Sequence, residues 1–324
     1  MHSRDALPLS RRDLLRRAGL TAAALVLPAP LAACGGGPPR GPRADSLAAR
    51  EPTAPDEDRL AEWVAALRDD ALVRSGQPLG RAAARVGELA SGTPYEAQTL
   101  EAYIRNGGDP SGMEPLSLSL TRFDCVTLVE ACLAVARVAA GPGSPAWEAF
   151  GREIERMRYR GGERRGYASR LHYFSEWIAD GAARGLVRDL GEELDGALDT
   201  RPLRFMTAHR ESYPALAHEG VFRDIAALER RLDARPRRVV PTSRIGAVAE
   251  RIETGDVLAF ATGIPGLDVT HAAFAYRDAA GVLRVLHAPL SGGVVEITGK
   301  TLPQYVEAIR RSTGILVARP AWAV

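Results

Sequence analysis

A chain of 324 residues with 46% hydrophobic and 25% charged content has room for one large domain or two small ones. Its formal net charge of +2 comes from the N-terminus: residues 1–33 carry five Arg against Asp5 and Asp13, so the rest stands at +2 − 3 = −1. That balance excludes a broadly cationic surface for nucleic acid.

In chain order, Ser10-Arg11-Arg12-Asp13-Leu14-Leu15 reads as a twin-arginine export signal, and the apolar stretch 18–31 behind it is too short for a stable membrane-spanning helix. Leu31-Ala32-Ala33-Cys34 resembles a lipobox, in which cleavage precedes Cys34 and a diacylglycerol is attached to its sulfur; a plain cleavage nearby, leaving Cys34 free, is the alternative. The expected product is exported by the twin-arginine route and held as a periplasmic or cell-envelope lipoprotein, contacting the membrane through an N-terminal lipid anchor. Residues 34–56, rich in Gly, Pro and Arg, read as a disordered linker, and residues 57–324 as the folded domain.

Helical periodicity covers 56–73, where Leu60, Trp63, Val64, Leu67 and Leu72 recur on one face, and then 80–89, 123–138, 146–157, 168–183 and 221–232. The last third changes to short β-rich runs at 256–261, 269–276, 282–287, 294–297 and 314–318, with one helix at 302–310. Helices first and an antiparallel sheet afterwards make an α+β class. No internal repeat is present.

Residues 120–132 are the centre of the chemistry. Thr121 followed three residues later by Asp124 reads as a capping box ahead of an apolar run, placing Cys125 in the first helical turn, where the helix dipole favours a thiolate. A Cys among Phe123, Val126, Leu128 and Val129 is equally a small buried hydrophobe, and Cys132, two turns further on the same face, is expected to be inert core. Seven residues of helix separate the two thiols by about 10 Å, too far for a disulfide. An exported chain has thus kept Cys125 unpaired, which calls for burial or for use.

Two histidines supply the partners. Alternation along 269–276 puts Val269, His271, Ala273 and Ala275 on one face, and alternation along 282–287 does the same for Leu283, Val285 and His287. A loop of three or five residues centred on Ala279 would set His271 directly opposite His287, whereas a four-residue loop would break the pairing. Thiolate, imidazole and an orienting third group are what nucleophilic catalysis requires. On the expected helix 168–183, Ser169, His172 and Glu176 share a polar face suited to substrate. His172, His209 and His218 lack zinc-ligand spacing, so no metal and no cofactor is assigned.

Gly92-Thr93-Pro94-Tyr95, Phe123-Asp124-Cys125, Gly255-Asp256-Val257-Leu258, Thr270-His271-Ala272-Ala273 and Leu286-His287-Ala288 together resemble the ordered signature of NlpC-like, papain-fold cysteine hydrolases of the cell wall. The longer pattern is similar to an amidase-like branch: Phe-Asp-Cys-Val-Thr-Leu-Val-Glu, Tyr-Arg-Gly-Gly at Tyr159, the run from Tyr167 to Trp177, and Thr-Gly-Ile-Leu-Val-Ala-Arg-Pro near the end. The resemblance spans about residues 57–320. It implies Cys125 as nucleophile, His271 as general base and acid, His287 as its orienting partner, and Tyr95 at the active site beside Asp124. It further implies cleavage of the amide between N-acetylmuramic acid and L-alanine in peptidoglycan or soluble muropeptides. Cys125-Val126-Thr127 departs from the Cys-Ser-Gly of the ordinary endopeptidases. A γ-D-glutamyl stem-peptide endopeptidase and a catalytically silent cell-wall-binding lipoprotein are the alternatives.

Overall fold

The computed structural model describes residues 54–74, 76–289 and 293–322. The twin-arginine segment, Cys34 and most of the 34–56 linker lie outside the described residues. Among the described residues no helix is long and apolar enough to cross a membrane.

The longer helices are α1 (Ala54–Asp69), α2 (Leu79–Leu89), α3 (Cys125–Ala140), α4 (Trp147–Arg158), α5 (Phe174–Ala183), α6 (Glu219–Asp233) and α7 (Leu302–Ala308). The strands are β1 (Val187–Asp189), β2 (Ala197–Asp199), β3 (Arg237–Pro241), β4 (Val257–Thr262), β5 (Val269–Arg277), β6 (Leu283–His287), β7 (Glu296–Ile297) and β8 (Ser312–Pro320). They form one antiparallel sheet in the order β2-β3-β8-β4-β5-β6-β7, with β1 paired to β8. The α+β expectation is met as a mixed fold of helices and antiparallel sheet. The sheet begins earlier than expected, however, because β1, β2 and β3 precede residue 257.

α3 is the spine. Ten of its residues are buried, from Leu128 continuously to Ala136 and then Ala139, because α1, α2 and α4 pack around it while β5 lies beneath. A helix apolar on all sides is stable only in such a sleeve. The sheet face under α3 contributes Val257, Ala259, Ala272, Phe274 and Leu286 to the same core. The opposite face carries Leu258, Phe260, Ala273, Val285 and Val317 beneath α7.

Two motif blocks turn out to be scaffold. Gly255, at φ +89, lies so close to Gly80 of α2 that a Cβ on it would fall 1.9 Å from the Gly80 carbonyl oxygen. Asp256 is buried and accepts two 2.8 Å bonds from the Arg319 guanidinium, which ties the Gly-Asp-Val block to the Ala-Arg-Pro block. Likewise Arg160 of the Tyr-Arg-Gly-Gly block pairs with Glu176 at 2.6 Å.

Three local expectations are corrected. The helix expected over 168–183 is a 3-10 turn at Tyr167–Ser169, an extended stretch through Tyr173, and then α5. The break arises because Tyr159 and Arg170 form a β-bridge and the Leu171 N–H donates to the Arg158 carbonyl, while Arg170 reaches Glu101 and Glu114. Ser169, His172 and Glu176 therefore do not share a helix face. Second, the β5–β6 loop is Asp278–Val282, centred on Ala280, because Asp278 accepts from the N–H groups of Ala280 and Val282. The register pairs Phe274 with Leu286 and Arg277 with Leu283, so His287 comes level with Ala273 and diagonal to His271. Third, Val269 does not share a face with His271. A bulge between Phe260 and Ala261 lets His271 pair with Phe260 and Val269 with Ala261, moving Val269 to the α3 side.

Candidate active site

The helix start is held by Asp124, not by Thr121. Asp124 is the N-cap, its carboxylate accepting from the N–H groups of Val126 (3.0 Å) and Thr127 (2.8 Å), and the Thr127 hydroxyl accepts in return from the Asp124 N–H (2.8 Å). Thr121 is instead bonded to Ser119. Cys125 is consequently the first helical residue, half-buried, while Cys132 is fully buried and its thiol pushed well above the ordinary range by burial.

Backbone strands lock this helix start to the histidine hairpin. The Phe123 N–H donates to the Pro94 carbonyl and the Glu96 N–H to the Phe123 carbonyl, flanking Tyr95. On its other side the same segment bonds to 293–295, through Tyr95 N–H to Gly293 and Val295 N–H to Thr93. From behind, Arg59 of α1 donates to the Thr93 hydroxyl and the Leu120 carbonyl, both at 2.9 Å, and Asp56 accepts from the Leu120 N–H at 2.7 Å. Tyr95 thus sits between the Cys125 turn and the connection that follows His287.

His271 Nε2 lies 2.8 Å from His287 Nδ1. The diagonal register suffices, because a two-residue displacement keeps both rings on one sheet face. Phe260 stacks on His271 at 5.6 Å between centroids, and Tyr305 of α7 packs edge-on against His287. The Tyr305 hydroxyl is 3.2 Å from His287 Nδ1. On β7, Glu296 is the cross-strand partner of His287, with Oε1 3.7 Å from Nε2.

Burial dominates the electrostatics. It pushes His287 down to about 4, and His271 well below the usual imidazole value, with the neighbouring His287 adding to the effect. Both rings are neutral near pH 7. The Tyr305 hydroxyl is raised by burial and then by the charges of Cys125 and Glu296, so the thiol lies within electrostatic reach of the group that touches His287. His271 and His287 are thereby brought into contact, and Cys125 sits with Tyr95 and Asp124 at the helix start. Tyr305 and Glu296 join them although the sequence did not single them out. Tyr305 looks like one more amphipathic-helix residue and Glu296 like an ordinary strand charge; the cross-strand register is the signal that reveals Glu296.

Ser169 and His172 are placed in the turn beyond α4. The Ser169 hydroxyl accepts from the Arg165 N–H and donates to the Gly166 carbonyl. His172 stacks on Tyr167 at 4.5 Å, its Nε2 2.9 Å from the Tyr167 carbonyl. A cavity of about 300 Å³ is lined by Glu96, Arg122, Thr127, Ala131 and Arg158 among others. Thr127 lies about 200° around α3 from Cys125, so this space is on the far side of the helix from the thiol. Among the described residues no group of three or more His, Cys, Asp or Glu is placed to hold a metal ion.

With this geometry in hand, comparison with known proteins is informative. A family described as AmiA-like, N-acetylmuramoyl-L-alanine amidase-like, matches residues 85–315. The chain belongs to this family. Two crystal structures of an N-acetylmuramoyl-L-alanine amidase from Bacteroides uniformis are similar at 30% identity, covering 75% of this chain and 99% of theirs, with TM-scores of 0.68 and 0.67. A Legionella pneumophila protein at 17% identity covers 83% of this chain and 97% of its own at a TM-score of 0.56, a likeness of fold alone. No curated protein matches the chain. The matched span of this amidase-like chain contains Cys125, both histidines, Glu296 and Tyr305.

Proposed function

We propose that this chain is an NlpC-like, papain-fold cysteine amidase that cleaves the N-acetylmuramoyl-L-alanine bond of peptidoglycan or its released muropeptides. The observation that carries the proposal is the 2.8 Å contact between His271 Nε2 and His287 Nδ1, beside Tyr305, whose hydroxyl lies within electrostatic reach of Cys125. A neutral His271 whose Nε2–H is given to His287 keeps its Nδ1 lone pair as a base for the thiol. Membership of the amidase-like family supports the substrate class.

In the proposed reaction Cys125 Sγ, giving its proton to His271, attacks the lactyl carbonyl carbon. The resulting oxyanion is stabilised by the Cys125 backbone N–H and the Tyr95 hydroxyl. The imidazolium then protonates the alanine nitrogen, the C–N bond breaks, and the stem peptide leaves with its amine restored. Water, deprotonated by His271, attacks the thioester and releases the muramic acid carboxylate together with the free thiol. Asp124 acts through the cap, fixing the turn that presents Cys125, while His172 and Ser169 are proposed to line the substrate approach. Residues 1–33 and Cys34 are proposed to deliver residues 57–324 to the cell envelope as a twin-arginine-exported lipoprotein.

The test is mass spectrometry of purified muropeptides, one set carrying the sugar and one free of it, incubated with the full chain and with its Cys125→Ser variant. Free stem peptide from the sugar-bearing set, released by the wild type alone, is the expected result. Shortened stem peptides from both sets would make the chain an endopeptidase, and no cleavage would leave it a binding protein.

A further inference from the structure

His287 has an unresolved choice built into it. Its Nδ1 faces two hydroxyl or imidazole neighbours, Tyr305 at 3.2 Å and His271 at 2.8 Å, each of which can donate or accept. Its Nε2 is buried and makes no hydrogen bond among the described residues. A neutral imidazole carries one proton, so two networks compete. With the proton on Nε2, Nδ1 accepts from His271, and His271 keeps a bare Nδ1. With the proton on His287 Nδ1, that N–H donates to His271 Nε2, forcing the His271 proton onto its own Nδ1 and removing the base.

What breaks the tie is the carboxylate on the next strand. Glu296 stands directly across from His287 in the β6–β7 ladder, and its Oε1 is 3.7 Å from the unbonded Nε2. A carboxylate there attracts an N–H dipole and repels a lone pair, and among the described residues no other charge pairs with His287. We propose that Glu296 is a positioning residue that selects the Nε2–H form of His287, and through it the form of His271 able to accept the thiol proton. The half-exposed carboxylate does not ionise His287, which burial holds neutral; it decides which nitrogen holds the single proton. Tyr305 follows that choice by donating its hydroxyl hydrogen to the Nδ1 lone pair it shares with His271.

The inference rests on the thiol-hydrolase reading of the same site but needs no cell-wall substrate to test. In the full chain labelled with nitrogen-15 at histidine, long-range proton–nitrogen correlation spectra distinguish protonated from bare ring nitrogens. The wild type is expected to show His287 protonated at Nε2 and bare at Nδ1, with His271 likewise bare at Nδ1. Glu296→Gln, whose amide can accept or donate, should mix the two forms, and alkylation of Cys125 by iodoacetamide at pH 7, followed by peptide mass spectrometry, should slow about fivefold. Tyr305→Phe should leave the His287 proton on Nε2. Wild-type His287 protonated at Nδ1, or a Glu296→Gln chain with unmixed tautomers and unchanged alkylation, would overturn the proposal. So would mixing caused by Tyr305→Phe and not by Glu296→Gln, which would make the tyrosine the selector. Failure to cleave muropeptides, with these spectra as expected, would count against the amidase reading alone.

Discussion

Two buried polar assemblies, one packed behind α3 and the other on the α7 face of the sheet, solve the same desolvation problem in opposite ways. Behind the helix, Arg158 pairs with Glu130 at 2.7 Å and donates to the Ser117 carbonyl at 2.6 Å, while Arg170 pairs with Glu101 and Glu114. Tyr103 and Tyr159 close the Glu114 end. There two guanidiniums are set among three carboxylates, each in contact with an opposite charge. Beneath α7, the histidine cluster holds groups that burial keeps neutral, linked by contacts whose donor and acceptor roles can exchange. Paired charges hold segments together but have nowhere to send a proton; neutral imidazoles in a dry site can take one up and pass it on.

The contrast is sharpest if each side is broken separately. Cys125→Ser should lower muropeptide turnover about 10⁴-fold while leaving the thermal midpoint unchanged, because it removes the proposed nucleophile and little packing. Loss of fold instead would make Cys125 structural. On the other side, Arg170→Met strands Glu101 and Glu114 without their cation, and urea denaturation should register a loss of about 3–5 kcal/mol. A chain that tolerates it would show that the matched charges are dispensable.

Acid separates the assemblies next. An unfolded imidazole titrates near 6.5, whereas folded His287 does so at about 4 and His271 well below its usual value. Between those limits the unfolded chain binds more protons, so stability rises with pH across the window and is lost as pH falls from about 6.5 toward 4, by on the order of 2 kcal/mol. Unfolding free energies at pH 7, 6 and 5 should show the slope, and His287→Gln should flatten it. Smallest is Cys132→Ser, which places a hydroxyl in the core of α3 and should cost about 1 kcal/mol by thermal denaturation with activity retained. Equal loss of activity from both cysteine changes would remove the distinction between the start of the helix and its buried middle.

Much of this was legible in the chain itself. The buried period of α3, the alternation of β5 and β6, and a polar pair before Cys125 are local properties, and they located the thiol and both histidines. What escaped depends on distant partners. The break before α5 is imposed by Arg170 finding carboxylates 69 and 56 residues earlier, which overrides local helical period. The hairpin register turns on Asp278 capping a five-residue loop, and the bulge beside His271 leaves no compositional trace. β1 and β2 are three-residue strands with largely exposed faces, too short to give a period. Glu296 and Tyr305 acquire meaning through the sheet that brings them to His287.

The clamp from α1 bears on where this enzyme unit starts. The family span opens at residue 85, yet Asp56 and Arg59 hold the backbone of Leu120 and the side chain of Thr93, five and thirty-two residues ahead of Cys125. A fragment cut to the family's borders would discard that brace, take Trp63 and Leu67 out of the core around α3, and leave the amide of Leu120 without its acceptor. The border of the family match at residue 85 and the mechanical border at α1 therefore differ, and the turn that presents Cys125 is braced from ahead of that match.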